Sequence, residues 1–188
     1  MNNQVVIIDN NDSFTYNLAQ YLKYLNQIPI ILNINELNNF DFTNFFKIII
    51  SPGPKLPQDY PDLIYFIDRY KADKKILGVC LGHQSIAIAF GGILYNLDKP
   101  RHGESQQLNI TSVNEKIYSD IDDKTVGLYH SWAVKDDLPN CLKVTAYDDA
   151  GVIMSIRHNK YDISGVQYHP ESIITKSGLK ILKNWLYC

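Results

Sequence analysis

Cys80 stands between Gly78 and Gly82 in the stretch KILGVCLGHQSIAIAFGG, Lys75 to Gly92, at the point where a short apolar run gives way to a helical pattern. Ile76, Leu77 and Val79 suit a buried strand, and Ser85 to Phe90 read as a helix closed by Gly91 and Gly92. The resulting G-x-C-x-G is the thiol counterpart of a nucleophile elbow, in which small neighbours permit a sharp, strained turn. At a helix N-terminus, unpaired N–H groups and the helix dipole favour an anion, so this position suits both a thiolate and a developing oxyanion. The plain alternative for a lone cysteine is a small buried hydrophobe; the elbow argues for nucleophilic attack on a carbonyl.

Such attack needs a proton shuttle and a group that orients it. Of five histidines, His169 is the best placed: the apolar strand Ile163 to Tyr168 ends on it, Pro170 restricts the turn, and Glu171 can reach back to the imidazole. A helix-terminal charge is the plain reading of Glu171. His83 shares the elbow's helix, where packing the helix onto a loop is its simplest role. His102 and His158 follow no strand that can be placed beside the elbow, and His130 ends a strand and is a candidate for lining a pocket.

These residues need a scaffold, and the first half of the chain describes one. Val5 to Ile8, Ile28 to Ile34 and Lys47 to Ile50 read as strands, and Phe14 to Leu25 as a helix with a Phe14/Leu18/Leu22/Leu25 stripe and Asp12 or Ser13 as its cap. Ser51-Pro52-Gly53-Pro54 stops the third strand, and Asp62 to Tyr70 form a further helix. Short apolar strands alternating with helices predict an open, mostly parallel α/β sheet covered by helices on both faces, with functional loops at the strands' C-terminal ends. Gly53 and Cys80 are thereby brought together. The second half, with strands at Leu108 to Val113, Thr125 to Tyr129, Leu142 to Tyr147, Val152 to Arg157 and Ile163 to Tyr168, predicts an added antiparallel region. Thr175 to Leu186 read as a closing helix with Leu179, Ile181, Leu182 and Leu186 inward.

At 188 residues and 45% hydrophobic content the chain accommodates one domain, 1–188, with a sizeable core. A net charge of −2 without a basic, aromatic-laced cluster argues against a nucleic-acid partner. Cys80, Cys141 and Cys188 have neither disulfide-framework nor metal spacing, which predicts a reducing, cytoplasmic setting without a bound metal. No signal-peptide pattern or membrane-length apolar run is present, so no membrane association is expected.

GVCLGHQ around Cys80, SPGP at 51–54 and GVQYHPES at 165–172 resemble the three signatures of class I, triad-type glutamine amidotransferases. IIDNNDSFTYNL near the start and YHSW at 129–132 resemble the branch formed by component II of anthranilate synthase and of para-aminobenzoate (aminodeoxychorismate) synthase. The resemblance runs end to end. It implies that Cys80 attacks the side-chain amide of L-glutamine, that His169 shuttles the proton and that Glu171 orients it. It also implies an oxyanion hole from the backbone N–H groups of Gly53 and Leu81, and a substrate pocket from Gly53, Pro54, Gln84, Ser131 and Trp132. The implied partner is a larger chorismate-binding component I that receives the ammonia and carries the Mg²⁺, with no cofactor in this chain. Docking would use the Asn10 to Ser13 loop and the Arg101 to Ser105 segment.

The resemblance implies anthranilate as product, with para-aminobenzoate or both as the alternative. Two positions depart from the family pattern: Lys55 where a further glycine is usual, and Glu104 where a lysine is frequent. Other enzymes on the same scaffold, such as the amidotransferase domains of GMP or carbamoyl phosphate synthetases or a γ-glutamyl hydrolase, fit the DNNDSFTYN start less well. A non-catalytic regulatory scaffold is the reading from a different class, opposed by the intact Cys80, His169 and Glu171.

Overall fold

A computed structural model describes residues 3–111 and 114–188. Its centre is an eight-stranded sheet in the order β2-β1-β3-β4-β10-β9-β8-β6. The strands of the first half are β1 (Gln4–Asp9), β2 (Ile28–Asn33), β3 (Lys47–Ile50) and β4 (Lys75–Val79), all mutually parallel. They alternate with helices α1 (Thr15–Tyr24), α2 (Pro61–Tyr70) and α3 (Leu81–Ala89). The all-apolar strands have the physical reason expected of them: successive side chains point to opposite faces, and both faces are covered. Val5, Ile7, Ile49, Leu77 and Val79 pack with Leu18 and Leu22 of α1 and with Ile181, Leu182 and Trp185 near the C-terminus. Val6, Ile8, Ile48, Ile50 and Ile76 pack instead with Leu63, Phe66 and Ile67 of α2 and Ile86 of α3.

The remaining elements are β5 (Leu94–Gln107), β6 (Asn109–Ile110), β7 (Thr125–Val134), β8 (Leu142–Tyr147), β9 (Ile153–His158), β10 (Ile163–Val166) and α4 (Gly178–Tyr187). β6, β8, β9 and β10 pair antiparallel in sequence, and β5 with β7 forms a separate antiparallel ribbon. The expected antiparallel character fails at one pairing: β10 lies parallel to β4. That pairing extends the parallel half by one strand and carries the His169 turn to the elbow.

Several boundaries differ from the sequence reading. The elbow helix begins at Leu81, immediately after Cys80, and not at Ser85; Gly82 and His83 are tolerated in its first turn because tertiary packing outweighs propensity. β5 has no counterpart in the reading, so His102 lies on a strand after all. Its mostly exposed, polar residues show no alternation, Pro100 interrupts them, and Gly103 adopts φ +73° at a register shift between His102 and Glu104. β7 continues past Tyr129 to Val134, so that His130 lies within the strand and does not end it, and Ser131 and Trp132 are strand residues as well. Leu179 is 41% exposed, not inward, because α4 buries Gly178, Ile181, Leu182, Trp185 and Leu186, a stripe at helical spacing that bypasses position 179. Of the expected Leu108 to Val113 strand only Asn109–Ile110 pair, as β6, with Leu108 and Thr111 outside it, and 112–113 lie outside the described residues. No helix among the described residues is long and apolar enough to cross a membrane.

Candidate active site

Parallel pairing collects the C-terminal ends of β1, β3, β4 and β10 on one edge. Asn10, just past β1, is wholly buried; its backbone N–H donates to Ser51 Oγ at 2.9 Å and its side-chain amide to the Ser51 carbonyl at 2.9 Å, tying the first and third strand ends together. Asn10 therefore has no surface to offer a partner, which corrects its place in the docking loop. Gly53 follows in the next loop, where a Cβ would come within 2.6 Å of both Asn10 Cβ and Leu81 Cδ2. Only glycine lets the loop after β3 rest against the residue after Cys80, and Gly53 and Cys80, expected together from the parallel sheet, line the same pocket.

The elbow is strained as its flanking glycines imply. Cys80 adopts φ +52°, ψ −101°, a conformation that L-residues avoid, and its N–H donates to the Val166 carbonyl at 2.8 Å. The glycines serve close approach: a Cβ on Gly78 would lie 2.3 Å from the Gly82 carbonyl oxygen, and one on Gly82 2.5 Å from the Ile50 carbonyl oxygen. Leu81 to Ala89 then start with their free N–H groups at the cysteine.

His169 and Glu171 come from the turn after β10. His169 Nδ1 and Glu171 Oε1 are 2.7 Å apart, and both residues are 2% exposed. The carboxylate accepts from Nδ1–H, which leaves Nε2 as the reactive nitrogen; it has no hydrogen bond of full geometry in the structure. The backbone is pinned on both sides: the His169 N–H donates to the Gly127 carbonyl, and Thr175 Oγ1 donates to the His169 carbonyl at 2.6 Å. Phe14 and Tyr129 rings flank the imidazole, with centroids 5.2 and 4.9 Å away. Phe14 thus precedes α1 and packs on the site instead of belonging to the helix's buried stripe. The N–H of Phe14 is satisfied by Asp12 Oδ1 at 2.8 Å. Burial lowers the His169 pKa, but the Glu171 charge, the nearby Cys80 sulfur and the Glu171 hydrogen bond outweigh it and raise the value well above 6.5.

The other histidines take different roles. His83 is fully buried against Gly165 of β10, and burial lowers its pKa to about 3, so it is a neutral packing residue between helix and sheet, not loop. His130 is held neutral, with burial and then Arg101 among the causes that bring it to about 4; its Nδ1 lies 2.8 Å from the Trp132 carbonyl, which can only accept. His102 is exposed on β5, and His158 packs on Phe90 and Tyr161 away from the elbow.

Gly53, Pro54, Lys55, Cys80, Leu81, Gln84, Tyr129, His130, Ser131 and Trp132 line a pocket of about 200 Å³. All of the residues expected to hold substrate meet here, and the volume lies below the roughly 300–1,000 Å³ of drug-sized sites. Gln84 spends its side-chain N–H groups on the Trp132 carbonyl at 2.8 Å and Gln167 Oε1 at 3.1 Å, leaving its oxygen for other partners. Sequence reasoning passed over Gln167, which is wholly buried and lies 3.6 Å from Cys80 Sγ. The sequence reading carries the strand on to Tyr168, whereas β10 ends at Val166, so a polar residue inside an otherwise apolar run was the available signal.

Lys55 occupies the pocket rim with φ +69°, the left-handed region in which glycine carries no steric penalty. Lys55→Gly is expected to stabilise the chain by about 0.5–1 kcal/mol, the relief of strain being offset partly by the more flexible unfolded chain. Lys55→Val should destabilise it. Urea unfolding midpoints of the two variants, moving in opposite directions from the parent, check this.

Residues 6–188 match the family model described as glutamine amidotransferase class-I. A Haemophilus influenzae protein carrying the provisional name anthranilate synthase component II is 44% identical over 185 residues, covering 97% of this chain and 95% of its own. Aminodeoxychorismate synthase component 2 of Escherichia coli is 40% identical over 187 residues, covering 97% and 99%. The fold is shared with the crystal structure of a Thermoplasma acidophilum protein provisionally named as a GMP synthase subunit, at a TM-score of 0.84 and 22% identity over 97% of this chain and 92% of that one.

Proposed function

The chain belongs to the class I glutamine amidotransferases, and from that premise we propose that it hydrolyses L-glutamine to glutamate and ammonia through a Cys80 thioester. The observation that carries this reading is the parallel β4–β10 register, Val79 opposite Val166, which sets the strained Cys80 elbow beside the buried His169–Glu171 pair. The Cys80 thiolate attacks the side-chain amide carbon, and the tetrahedral oxyanion faces the backbone N–H groups of Gly53 and Leu81. His169, protonated and held by Glu171, gives its proton to the amide nitrogen, so that the C–N bond breaks and ammonia leaves. Neutral His169 then removes a proton from water, which attacks the γ-glutamyl thioester and releases glutamate and the thiolate. Gly53, Pro54, Gln84, Ser131 and Trp132 hold the substrate. The reaction needs no cofactor in this chain.

The acceptor of the ammonia is a second protein, the chorismate-using component I with its own Mg²⁺, by the resemblance to component II proteins of anthranilate and aminodeoxychorismate synthases. Anthranilate is the proposed product, with para-aminobenzoate or both as the alternative, since relatives named for each are of similar identity. The docking face proposed is the elbow side, through Asn11, Ser13, His102, Glu104 and Ser105, which are exposed; Arg101 is engaged by Asp148 at 2.6 Å.

The isolated chain is expected to hydrolyse glutamine slowly and to be stimulated at least about tenfold by its cognate component I with chorismate, a coupling of ordinary allosteric size. Glutamate release, measured with each type of component I in turn, decides the pathway. Full activity of the chain alone, or no stimulation by either type, would refute the partnership.

A further inference from the structure

We propose that Gln167 is the hydrogen-bond donor to the Cys80 sulfur, oriented by a one-way relay that runs from the Trp132 carbonyl through Gln84. The inference rests on Cys80 being the nucleophile, as proposed above. It begins with strand register. Val79 and Val166 are partners on adjacent parallel strands, so the next residues of each, Cys80 and Gln167, leave the sheet side by side. The Gln167 backbone is anchored by its N–H to the Met154 carbonyl at 2.8 Å, and its side chain is wholly buried.

A carboxamide presents nearly isosteric oxygen and nitrogen ends, and its direction is set by its partners. Here the partners leave one choice. A backbone carbonyl only accepts, so the Gln84 end at 2.8 Å from the Trp132 oxygen is Nε2. The second hydrogen of that nitrogen points to Gln167, 3.1 Å away, which must therefore present Oε1. The opposite end of the Gln167 amide, Nε2, then faces Cys80 Sγ at 3.6 Å, within hydrogen-bonding reach of sulfur. Turning either amide over would oppose two donors or two acceptors within the relay. An N–H aimed at sulfur is stronger toward a thiolate than toward a thiol, since hydrogen bonds to ionised groups are about twice as strong as neutral ones. Gln167 thus favours the reactive form of Cys80 and restrains the position of the sulfur. Gln84 is a positioning residue for this bond as well as a wall of the pocket, so the β7 strand that bears Trp132 is mechanically joined to the nucleophile.

The experiment compares the parent with Gln167→Met, which retains the volume and removes both polar ends. The readouts are glutaminase kinetics and the pH dependence of Cys80 alkylation by iodoacetamide, followed by mass spectrometry. The titratable groups that face this site, His169 with its partner Glu171 and His130, Tyr129 and Lys55 in the pocket wall, are unchanged by this substitution. The expected result is a fall in kcat of roughly tenfold, the size of a lost hydrogen bond to a charged group, with KM within about twofold. The alkylation midpoint should rise by about one pH unit, the same free energy read as a proton affinity. A folded Gln167→Met protein with unchanged kcat and an unchanged alkylation midpoint overturns the proposal. In the parent protein, the ¹⁵N side-chain amide resonance of Gln167 should shift with the same pH midpoint as alkylation, and should lose that shift once Cys80 is alkylated. A Gln167 amide indifferent to Cys80 ionisation overturns the proposal even if the methionine variant fails to fold. Failure of the underlying reading looks different: Cys80→Ala would retain glutaminase activity, whatever Gln167 does.

Discussion

Cys80→Ser is expected to abolish glutamine hydrolysis, on the order of a 10⁶-fold loss, the scale seen when a nucleophile is removed from a set of groups that act as a unit. Serine retains the shape of the elbow but not the ionisation: an alkoxide is far less accessible than a thiolate, and the surrounding N–H groups and imidazolium cannot compensate for it. Cys80→Gly separates chemistry from strain. Glycine accepts φ +52°, ψ −101° without steric cost, so this variant should be inactive and yet more stable by about 1–3 kcal/mol, less the entropy that glycine returns to the unfolded chain. Mass spectrometry after treatment with a glutamine-analogue electrophile should show a single adduct on Cys80. Labelling of Cys141 or Cys188 with Cys80 untouched would sink the nucleophile assignment, and both are free cysteines available as internal controls.

His169→Ala is expected to lower kcat by roughly 10²–10⁴-fold, the share of a general acid–base group. Glu171→Gln should cost less, because Glu171 transfers no proton, but it should move the pH profile. The sign follows from the opposing influences on the imidazole. Burial lowers the His169 pKa, and the Glu171 charge is the first of the influences that overcome it. Removing that charge while keeping the shape of the carboxylate lets burial weigh more heavily, and the His169 pKa falls. The protonated form needed to expel ammonia is then lost at a lower pH, so the alkaline limb of kcat moves toward neutrality. Stability follows the same linkage: a raised histidine pKa contributes fully below the unfolded value of about 6.5, and that contribution disappears as pH rises through the folded value. In Glu171→Gln the pH dependence of unfolding should flatten accordingly. If His83→Ala were the more damaging change in kcat, the base would be misassigned, but a fully buried neutral imidazole against Gly165 predicts mainly lost stability.

The chemistry-bearing residues were legible because each sits where the chain changes character. Cys80 lies between an apolar run and a helix, Gly53 inside a proline-bounded stop, and His169 at the end of an apolar strand. Such junctions depend on local physics, in which glycine, proline and apolar periodicity act over a few residues. The ribbon was not legible for the opposite reason. β5 buries little and alternates weakly, and its existence depends on pairing with β7, so no property of Leu94–Gln107 alone marks it. The Leu179 error has the same origin, since the face of a helix turned inward depends on the sheet it meets.

The sequence by itself determined that a parallel sheet, covered on both faces, would carry a thiol elbow at a C-terminal strand end, and that a histidine–glutamate turn would follow a later apolar strand. It did so because strand burial, the elbow and the proline turn are written in residue types at fixed short spacing. Only the tertiary structure decided that β10 runs parallel beside β4, since register between distant segments is chosen by packing across the whole sheet and not by either segment. That choice places Gln167 against Cys80 and joins it through Gln84 to β7. Whether a buried amide points its nitrogen or its oxygen at a sulfur is a property of the network around it, and no stretch of the chain contains that network before folding.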